Sequence, residues 1–533
     1  MPAHHPHTDT PPTGGTPRAL PGTGHRRLTQ VVLPCLLVAA VIALYGPLVR
    51  FPYVQDDWRL IHRFMFGHTG QVIGEMLSPA GRFFYRPLAG VYFLCVYRLF
   101  GLDAAGFHIL SLLLLAGSAL GVVALAFRLT GDRAAAWGSG FLFAGAANVQ
   151  FEPQMWMVGT YDTGAVFFSI LCLLALLHGR YRLSALAMAA ALACKESASL
   201  LIVAAAVWIA LLEKGGTASK LEWHGAVFLV FAAARLAGIS PFSLPAADPY
   251  AARLLGGHVL TNAALYGTWA IQAVTPLKNI AFTEAQGRAA LVLAACAPAL
   301  AALIAALAAR RGQLHAGTGM RAGVCIVVWF LMMLIPPLTL KAHIVRYYLV
   351  AALPPLAIGV MLALASLARV TFRSPRVPAV LCALFVAGCL GDALVMTETK
   401  MSLGRADGVH STSHDGDNHL VRKATVVKET RASLQALLPG PPPHTVIWME
   451  GVETGCFEGR YGLQAWYRDS TLLLAKTVSE AADSGGLVNA VLTKEDPGQT
   501  LPAVVAVPAR SVVHVREEDG TMILVRDSVD GRR

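Results

Sequence analysis

Two adjacent carboxylates, Asp56 and Asp57, stand in the segment Tyr53-Val54-Gln55-Asp56-Asp57-Trp58, a few residues beyond an apolar run at 31–49. Carboxylates so close to hydrocarbon are costly unless water reaches them or they are used. They could cap a helix expected at 58–66. One could act as a general base, its pKa set by burial and neighbours. They could also ligate a divalent cation, Mg or Mn. The pair alone does not choose. Further polar groups stand against apolar runs: Arg86, Glu152, Asp162, Lys195, Glu196, His343, Arg346 and Tyr347. An unpaired cation at membrane depth costs about 3 kcal/mol. Lys195 could be neutralised by Glu196 or Asp162, and Arg346 could snorkel to headgroups. Either of them, or Arg86, could instead hold an anion, which Arg grips as a fork.

The elements that must position these residues are membrane helices. Apolar residues make up 55% of the 533 and charged residues 14%, against about 25% charge in a soluble domain. A string of soluble domains, a disordered chain and a secreted disulfide scaffold are excluded. The nine cysteines show no CxxC and no zinc spacing, and most read as small hydrophobes. The net charge of +11 fits cytoplasmic loops and calls for no nucleic acid.

Apolar runs follow at 107–127, 135–150, 163–178, 184–194, 197–212, 225–239, 288–309, 323–340, 346–368 and 376–396. Some are shorter than the ~20 residues of a straight span, as helices lining a protein-walled cavity are. Run 84–101 holds Arg86, Pro87 and Arg98 and is expected to lie on the outer membrane surface. The loops at 128–133, 180–182, 214–220, 310–321 and 369–376, all basic, then share the N-terminal side, which is the positive-inside pattern. The outer loop 50–106 is itself basic and runs against it.

The expected fold is mainly α, a polytopic membrane protein with about eleven transmembrane helices. Residues 1–28 form a disordered cytoplasmic tail. Residues 29–397 form the transmembrane domain, with long outer loops at 50–106 and 240–287; the stretch 258–276 is expected to lie laterally. Residues 398–533 form a small extracytoplasmic α/β or α+β domain, with strand-like runs at 444–449, 471–477, 487–492, 501–507, 511–515 and 522–525. Within it, 455–469 (GCFEGRYGLQAWYRD) could meet the membrane or an acceptor, or make ordinary turns. His410, His414 and His419 have helix-face spacing but no accompanying hydrophobic pattern, so no metal site is assigned. Trp156 and Trp269 read as interfacial belt residues.

Several of these segments, in order, resemble the GT-C superfamily of membrane glycosyltransferases, in particular protein O-mannosyltransferase-like proteins. The acidic pair stands where that superfamily carries a DD, DE or DxD motif. Phe84-Tyr85-Arg86-Pro87-Leu88 is similar to its RPL segment, and 150–162 (QFEPQMWMVGTYD) lies where relatives have HPVxxEAVAWIxGRxD. Lys195-Glu196 in ACKES looks like the SKE turn, and 343–354 (HIVRYYLVAALP) like RYYLPALP. The resemblance covers 30–397. Glu152-Pro153 replaces the usual His-Pro, and Tyr161 stands where an arginine is expected, which implies different acceptor contacts.

The resemblance implies a sugar transferase. A polyprenyl-phosphate-linked sugar is the donor, and a protein, lipid or glycan outside the cytoplasm is the acceptor. Asp56 or Asp57 is the base, the first of the pair being usual in relatives, and the reaction inverts the anomeric carbon. Arg346, Lys195 and Arg86 would hold the lipid phosphate. Glu152, Asp162, Glu196, His343 and Tyr347 would contact substrate. The location expected is the bacterial inner (plasma) membrane. The competing reading is a transporter or flippase, in which the same cations guide an anionic lipid headgroup, but no symmetry of two halves is visible. A third reading is an inactive scaffold that presents the C-terminal domain.

Overall fold

The structure, a computed structural model, describes residues 23–81, 83–213, 217–240, 243–245, 248–277, 316–372, 374, 376–403, 419–450, 452–475, 511–518 and 521–528. Helix α1 (Thr23–Tyr45) begins inside the stretch assigned to the tail and runs on as a 3-10 turn to Arg50. The first loop then folds into α2 (Asp56–Phe66), α3 (Thr69–Leu77) and α4 (Pro87–Phe100). With 14 residues, α4 is about 21 Å long and too short to cross a bilayer.

Next come α5 (Ala104–Thr130), α6 (Arg133–Ala144), α7 (Ala147–Met155), α8 (Thr160–Leu177), α9 (Tyr181–Cys194), α10 (Leu201–Leu212), α11 (Thr217–Leu236) and α12 (Gly257–Val274). They are followed by α13 (Ala316–Leu338), α14 (Leu353–Thr371) and α15 (Val377–Leu403). Among the described residues, six stretches are long and apolar enough to cross a membrane: Val31–Arg50, Ala104–Thr130, Met157–Leu177, Met320–Leu338, Arg346–Thr371 and Val377–Ser402. At 19 to 27 residues they reach about 28–40 Å. This is the build of an integral membrane protein. The expected run 135–150 is broken at Gly145 into α6 and α7, and α9 and α10 have 14 and 12 residues. Run 288–309 lies outside the described residues.

The helix ends show why the chain turns where it does. Asp103 accepts the Ala105 N–H at 2.9 Å and caps α5. Gly131, at φ 67°, ends α5 in the left-handed region that glycine adopts cheaply. Asp132 then accepts the Ala134 and Ala135 N–H groups and starts α6. Its other oxygen meets Arg369 at the end of α14. At the same end of the bundle, the Tyr181 hydroxyl donates to Glu213 at 3.0 Å and Lys220 pairs with that carboxylate at 3.3 Å. Four of the five loops expected to share one side thus meet in pairs, at the end of α5 and α8 away from Asp56, and 310–315 lies outside the described residues.

After α15 come α16 (His419–Leu437), β1 (Thr445–Glu450), α17 (Arg460–Tyr467), β2 (Leu473–Ala475), β3 (Ser511–Glu518) and β4 (Thr521–Ser528). The sheet order is β2-β1-β3-β4. β1 runs parallel to β2 and β3, and β4 closes antiparallel on β3. Ile447 faces Leu474 on one side and Val513 on the other. The runs at 487–492 and 501–507, with His410 and His414, lie outside the described residues.

The hydrophobic cores explain how the two ends of the chain meet. One core fills the helical bundle. A second is shared: Tyr53, Trp58, Ile61 and Phe64 from the first loop pack with Val427, Leu434, Ile447, Phe457, Leu463 and Trp466. Phe64 and Phe457 are fully buried in it, each contributing about 2–3 kcal/mol. The C-terminal segment therefore sits directly on the first loop.

Candidate active site

Helix α2 begins at Asp56, so neither carboxylate is its N-cap; Gln55 is, with φ 50°. Asp56 and Asp57 instead occupy the first turn, where the positive end of the helix dipole favours anions. Their surroundings differ sharply. Asp57 is 1% exposed. Its Oδ2 accepts the Val54 N–H at 3.1 Å and the Met157 N–H at 3.3 Å, tying the first loop to the turn before α8. Burial pushes its carboxyl well above the usual range, and those backbone donors oppose the shift. Asp56 is exposed. Its carboxyl nevertheless rises to about 6, because surrounding protein desolvates it and Glu458 lies against it, while Arg59 and Lys423 pull the other way. His108, between the carbonyls of Gln154 (3.1 Å) and Phe51 (3.2 Å), fixes the entry of this loop beside α7.

Behind Asp56 the sequence-predicted groups gather. Arg86, at the start of α4, grips Glu196 with both arms: Nε to Oε2 at 2.9 Å and Nη2 to Oε1 at 2.7 Å. Its guanidinium also lies 4.4 Å from the ring centres of Phe84 and Tyr161. Burial works against this charge, but Glu196 more than compensates and holds it firmly protonated. Lys195, 7% exposed, pairs with Asp162 and lies 4.3 Å from the Tyr348 ring centre. Of the alternatives open for Lys195, Asp162 is its partner, and Glu196 belongs to Arg86. His343 stacks near Tyr250 at 4.6 Å and Tyr348 at 5.6 Å. Burial and the nearby Lys195 lower its pKa. Asp56 lies within electrostatic reach of Tyr161 and Tyr250, so the acid of the first loop and this charged group form one polar end of an apolar bundle.

Arg346 and Glu152 stand apart from that group. Arg346 lies 5.4 Å from the Trp269 ring centre. Lys400, 4% exposed near the end of α15, lies 5.1 Å from the Phe151 ring centre, with Glu152 and Arg346 in electrostatic reach. Tyr347 stands between the two groups, its ring 5.7 Å from Lys195 and 6.2 Å from Trp156. Trp269 is buried at 3%, which corrects its reading as a belt residue: its indole packs edge-on against Tyr266 beneath Arg346.

Lys400 and Glu458 were missed in the sequence. A lone lysine past the last apolar run reads as an interfacial anchor, and Glu458 is 402 residues from Asp56. The only signal for Glu458 was its place in the Gly- and aromatic-rich stretch 455–469.

Buried polar atoms normally find partners. Among the described residues, His343 Nε2, Thr160 Oγ1, Trp156 Nε1 and Asp57 Oδ1 are buried without one. They border the charged group; the Trp156 indole N–H and the Thr160 hydroxyl can donate to hydroxyl or phosphate oxygens, and Asp57 Oδ1 can accept from a hydroxyl. No group of three or more His, Cys, Asp or Glu side chains able to hold a metal ion occurs among the described residues. A cavity of about 490 Å3 lies elsewhere, against the far halves of α8 and α9, with His178 and Arg180 in a mainly apolar lining. It does not reach the charged group.

No protein-family model matches this sequence, and no curated protein does. Solved structures are similar in fold. ArnT from Cupriavidus metallidurans in the apo state is 13% identical, with a TM-score of 0.50 over 93% of this chain and 94% of that one. ArnT from the same organism bound to undecaprenyl phosphate gives 13% and 0.46 over the same shares. Arabinosyltransferase EmbB from Mycobacterium smegmatis gives 15% and 0.30, over 76% of this chain and 44% of that one. Only the first of these three likenesses reaches the level at which folds can be equated. With 93% of this chain and 94% of the ArnT chain in correspondence, this protein shares the fold of ArnT.

Proposed function

We propose that the protein is a membrane glycosyltransferase that moves a sugar from a polyprenyl-phosphate donor to a hydroxyl of an acceptor outside the cytoplasm. The observation that carries this reading is the gathering of Asp56, Arg86, Lys195, Asp162, Glu196 and His343, from separated parts of the chain, at one end of an apolar bundle. The fold of ArnT supports it.

Asp56 is the base. It is exposed to an acceptor, whereas Asp57 is buried and engaged with backbone N–H groups. A carboxyl near 6 is ionised at neutral pH and basic enough to take a proton as it is released. The acceptor hydroxyl gives its proton to Asp56, and its oxygen forms a bond to the anomeric carbon. The bond from that carbon to the phosphate oxygen breaks, and the phosphate leaves with the electron pair. In-line attack inverts the carbon.

Little covalent chemistry is left to the protein, so positioning and charge neutralisation do the work. Arg86 and Lys195 face the reaction with carboxylate partners already in place, which fixes their positions. Arg346 with Lys400 brings two cations together, with Glu152 in reach. That excess of positive charge suits the lipid phosphate best. His343, Trp156 and Thr160 supply hydrogen bonds to sugar hydroxyls.

The test is incubation of purified protein in liposomes with radiolabelled polyprenyl-phosphate sugars and an acceptor extract. Label transferred to acceptor in the wild type, and lost in Asp56→Asn, is expected. Label that crosses the bilayer while remaining on its lipid would establish the flippase reading instead.

A further inference from the structure

The C-terminal segment does more than cover the first loop. Its turn Thr454–Phe457 leads into Glu458, held at φ 53°, and Gly459, at φ 55°. A left-handed residue that is not glycine costs about 1 kcal/mol or more, so the surrounding contacts must hold Glu458 there. The opposing residue is Gln55, also left-handed at φ 50°, whose N–H donates to the Cys456 carbonyl at 2.8 Å. These two unusual turns meet at the point where Asp56 begins α2. The docking continues along the helix. His62 bonds Gln464 at 2.7 Å, Trp58 meets Trp466 edge-on at 5.7 Å, and Arg59 lies 5.8 Å from the Tyr461 ring centre.

These contacts set the Glu458 carboxyl beside the Asp56 carboxyl, whose proton affinity it raises. Arg59 Nη2 holds the Glu458 Oε2 at 2.9 Å. Two neighbouring carboxyls hold a proton more readily than either alone, because both cannot carry charge without repulsion.

We propose that Glu458 is a positioning residue of the transfer site: it pairs with Asp56 across one proton, so that the C-terminal segment sets the strength of the base in the first loop. The inference rests on Asp56 being that base. In the reaction, the proton leaving the acceptor hydroxyl goes to the Asp56 carboxylate and is then held between the two carboxyls. The acceptor oxygen keeps its electron pair for the new bond to the anomeric carbon, and the lipid phosphate departs with the pair from the broken bond. Without Glu458, Asp56 would accept that proton less willingly. The other groups facing Asp56 are Asp57 and Arg59 on α2, Lys423 on α16, Tyr161 on α8 and Tyr250. Of these, the two cations weaken the base, and Glu458 opposes them.

The experiment is the pH dependence of kcat/KM for transfer by the full-length protein in liposomes. Glu458→Gln keeps the size and a hydrogen bond but removes the charge. It should move the acid limb of the profile down by about one pH unit and reduce kcat several-fold above pH 7, because a weaker base gains less from the proton it takes. Glu458→Asp should restore part of the limb position. Arg59→Gln removes a cation and should move the limb the other way, upward, so the idea stays testable if Glu458 variants fold poorly. An acid limb that stays in place in Glu458→Gln, with rate lost equally at every pH, would reduce Glu458 to a docking contact and overturn the proposal while leaving Asp56 as base. Full transfer by Asp56→Asn would overturn the base itself, and the proposal with it.

Discussion

Asp56 and Asp57 are neighbours in sequence with opposite environments, and their substitutions should separate accordingly. Asp56→Asn should lower the transfer rate by about 10²–10⁴-fold, the usual worth of a general base, with no loss of folded protein. Asp57→Asn keeps an acceptor for the Val54 and Met157 N–H groups and should retain transfer within about tenfold. Asp57→Ala leaves both donors buried and unmet, at about 1–3 kcal/mol each, and its Tm in detergent should fall by several degrees. The pH profile of the wild type follows from the same carboxyl. The base form of Asp56 is lost as pH falls through about 6, so kcat/KM should decline below that point; a profile flat from pH 5 to 8 would remove Asp56 from the chemistry. At the second cationic group, Arg346→Ala and Lys400→Ala should each raise KM for the lipid donor about tenfold or more, since charge-assisted contacts are worth about 1.5–3 kcal/mol. Arg346→Lys should recover part of the loss because it restores charge without the fork.

At the scale of elements, the site depends on short pieces between helices. The 3-10 turn Met157–Gly159 delivers the Met157 N–H to Asp57. It can do so because Gly159 rests on Pro153 of α7: a Cβ there would sit 2.5 Å from the proline Cα and 2.6 Å from its carbonyl oxygen. Backbone cannot yield cheaply, so Gly159→Ala should push the turn away and cost about 1–3 kcal/mol. The measured signs would be a lower Tm and a transfer rate reduced together with it. An unchanged Tm would show that α7 can shift without strain. The 3-10 turn Glu196–Leu200 plays the matching part for Arg86, since it ends α9 early and lets Glu196 reach α4. A continuous helix through 184–212 would carry Glu196 round its own axis and leave no such turn.

For the molecule as a whole, the two ends of the bundle differ in kind. One carries Asp132–Arg369 and Tyr181–Glu213–Lys220. The other carries the charged group and the C-terminal segment joined to the first loop. Because the first loop and the C-terminal segment share a core, they must lie on the same side of the membrane. The positive-inside pattern of the basic loops predicts that this side is outside the cytoplasm. A reporter that fluoresces only when folded in the cytoplasm, fused after Arg533, should therefore stay dark, and the same reporter placed after Lys220 in a truncated chain should be bright. The reverse pattern would place the acidic end in the cytoplasm and invert the topology.

Hydrophobic runs, strand-like runs and the acidic pair were legible in the sequence because each is set by residues a few positions apart. The strand expected at 444–449 and found at Thr445–Glu450 belongs to this class. The polar residues destined for one end of the bundle were legible too, since alternation of spans fixes which loops share a side. What remained open was partnership. Nothing in spacing tells Lys195 to choose Asp162 and leave Glu196 to Arg86, because both acids lie at plausible distance along the chain. Nothing links Glu458 to Asp56, or Lys400 to Arg346 and Phe151. The interaction of two charges falls with their separation in space and rises as water is removed from between them. Both quantities are products of how the helices pack, and they exist only once the chain is folded.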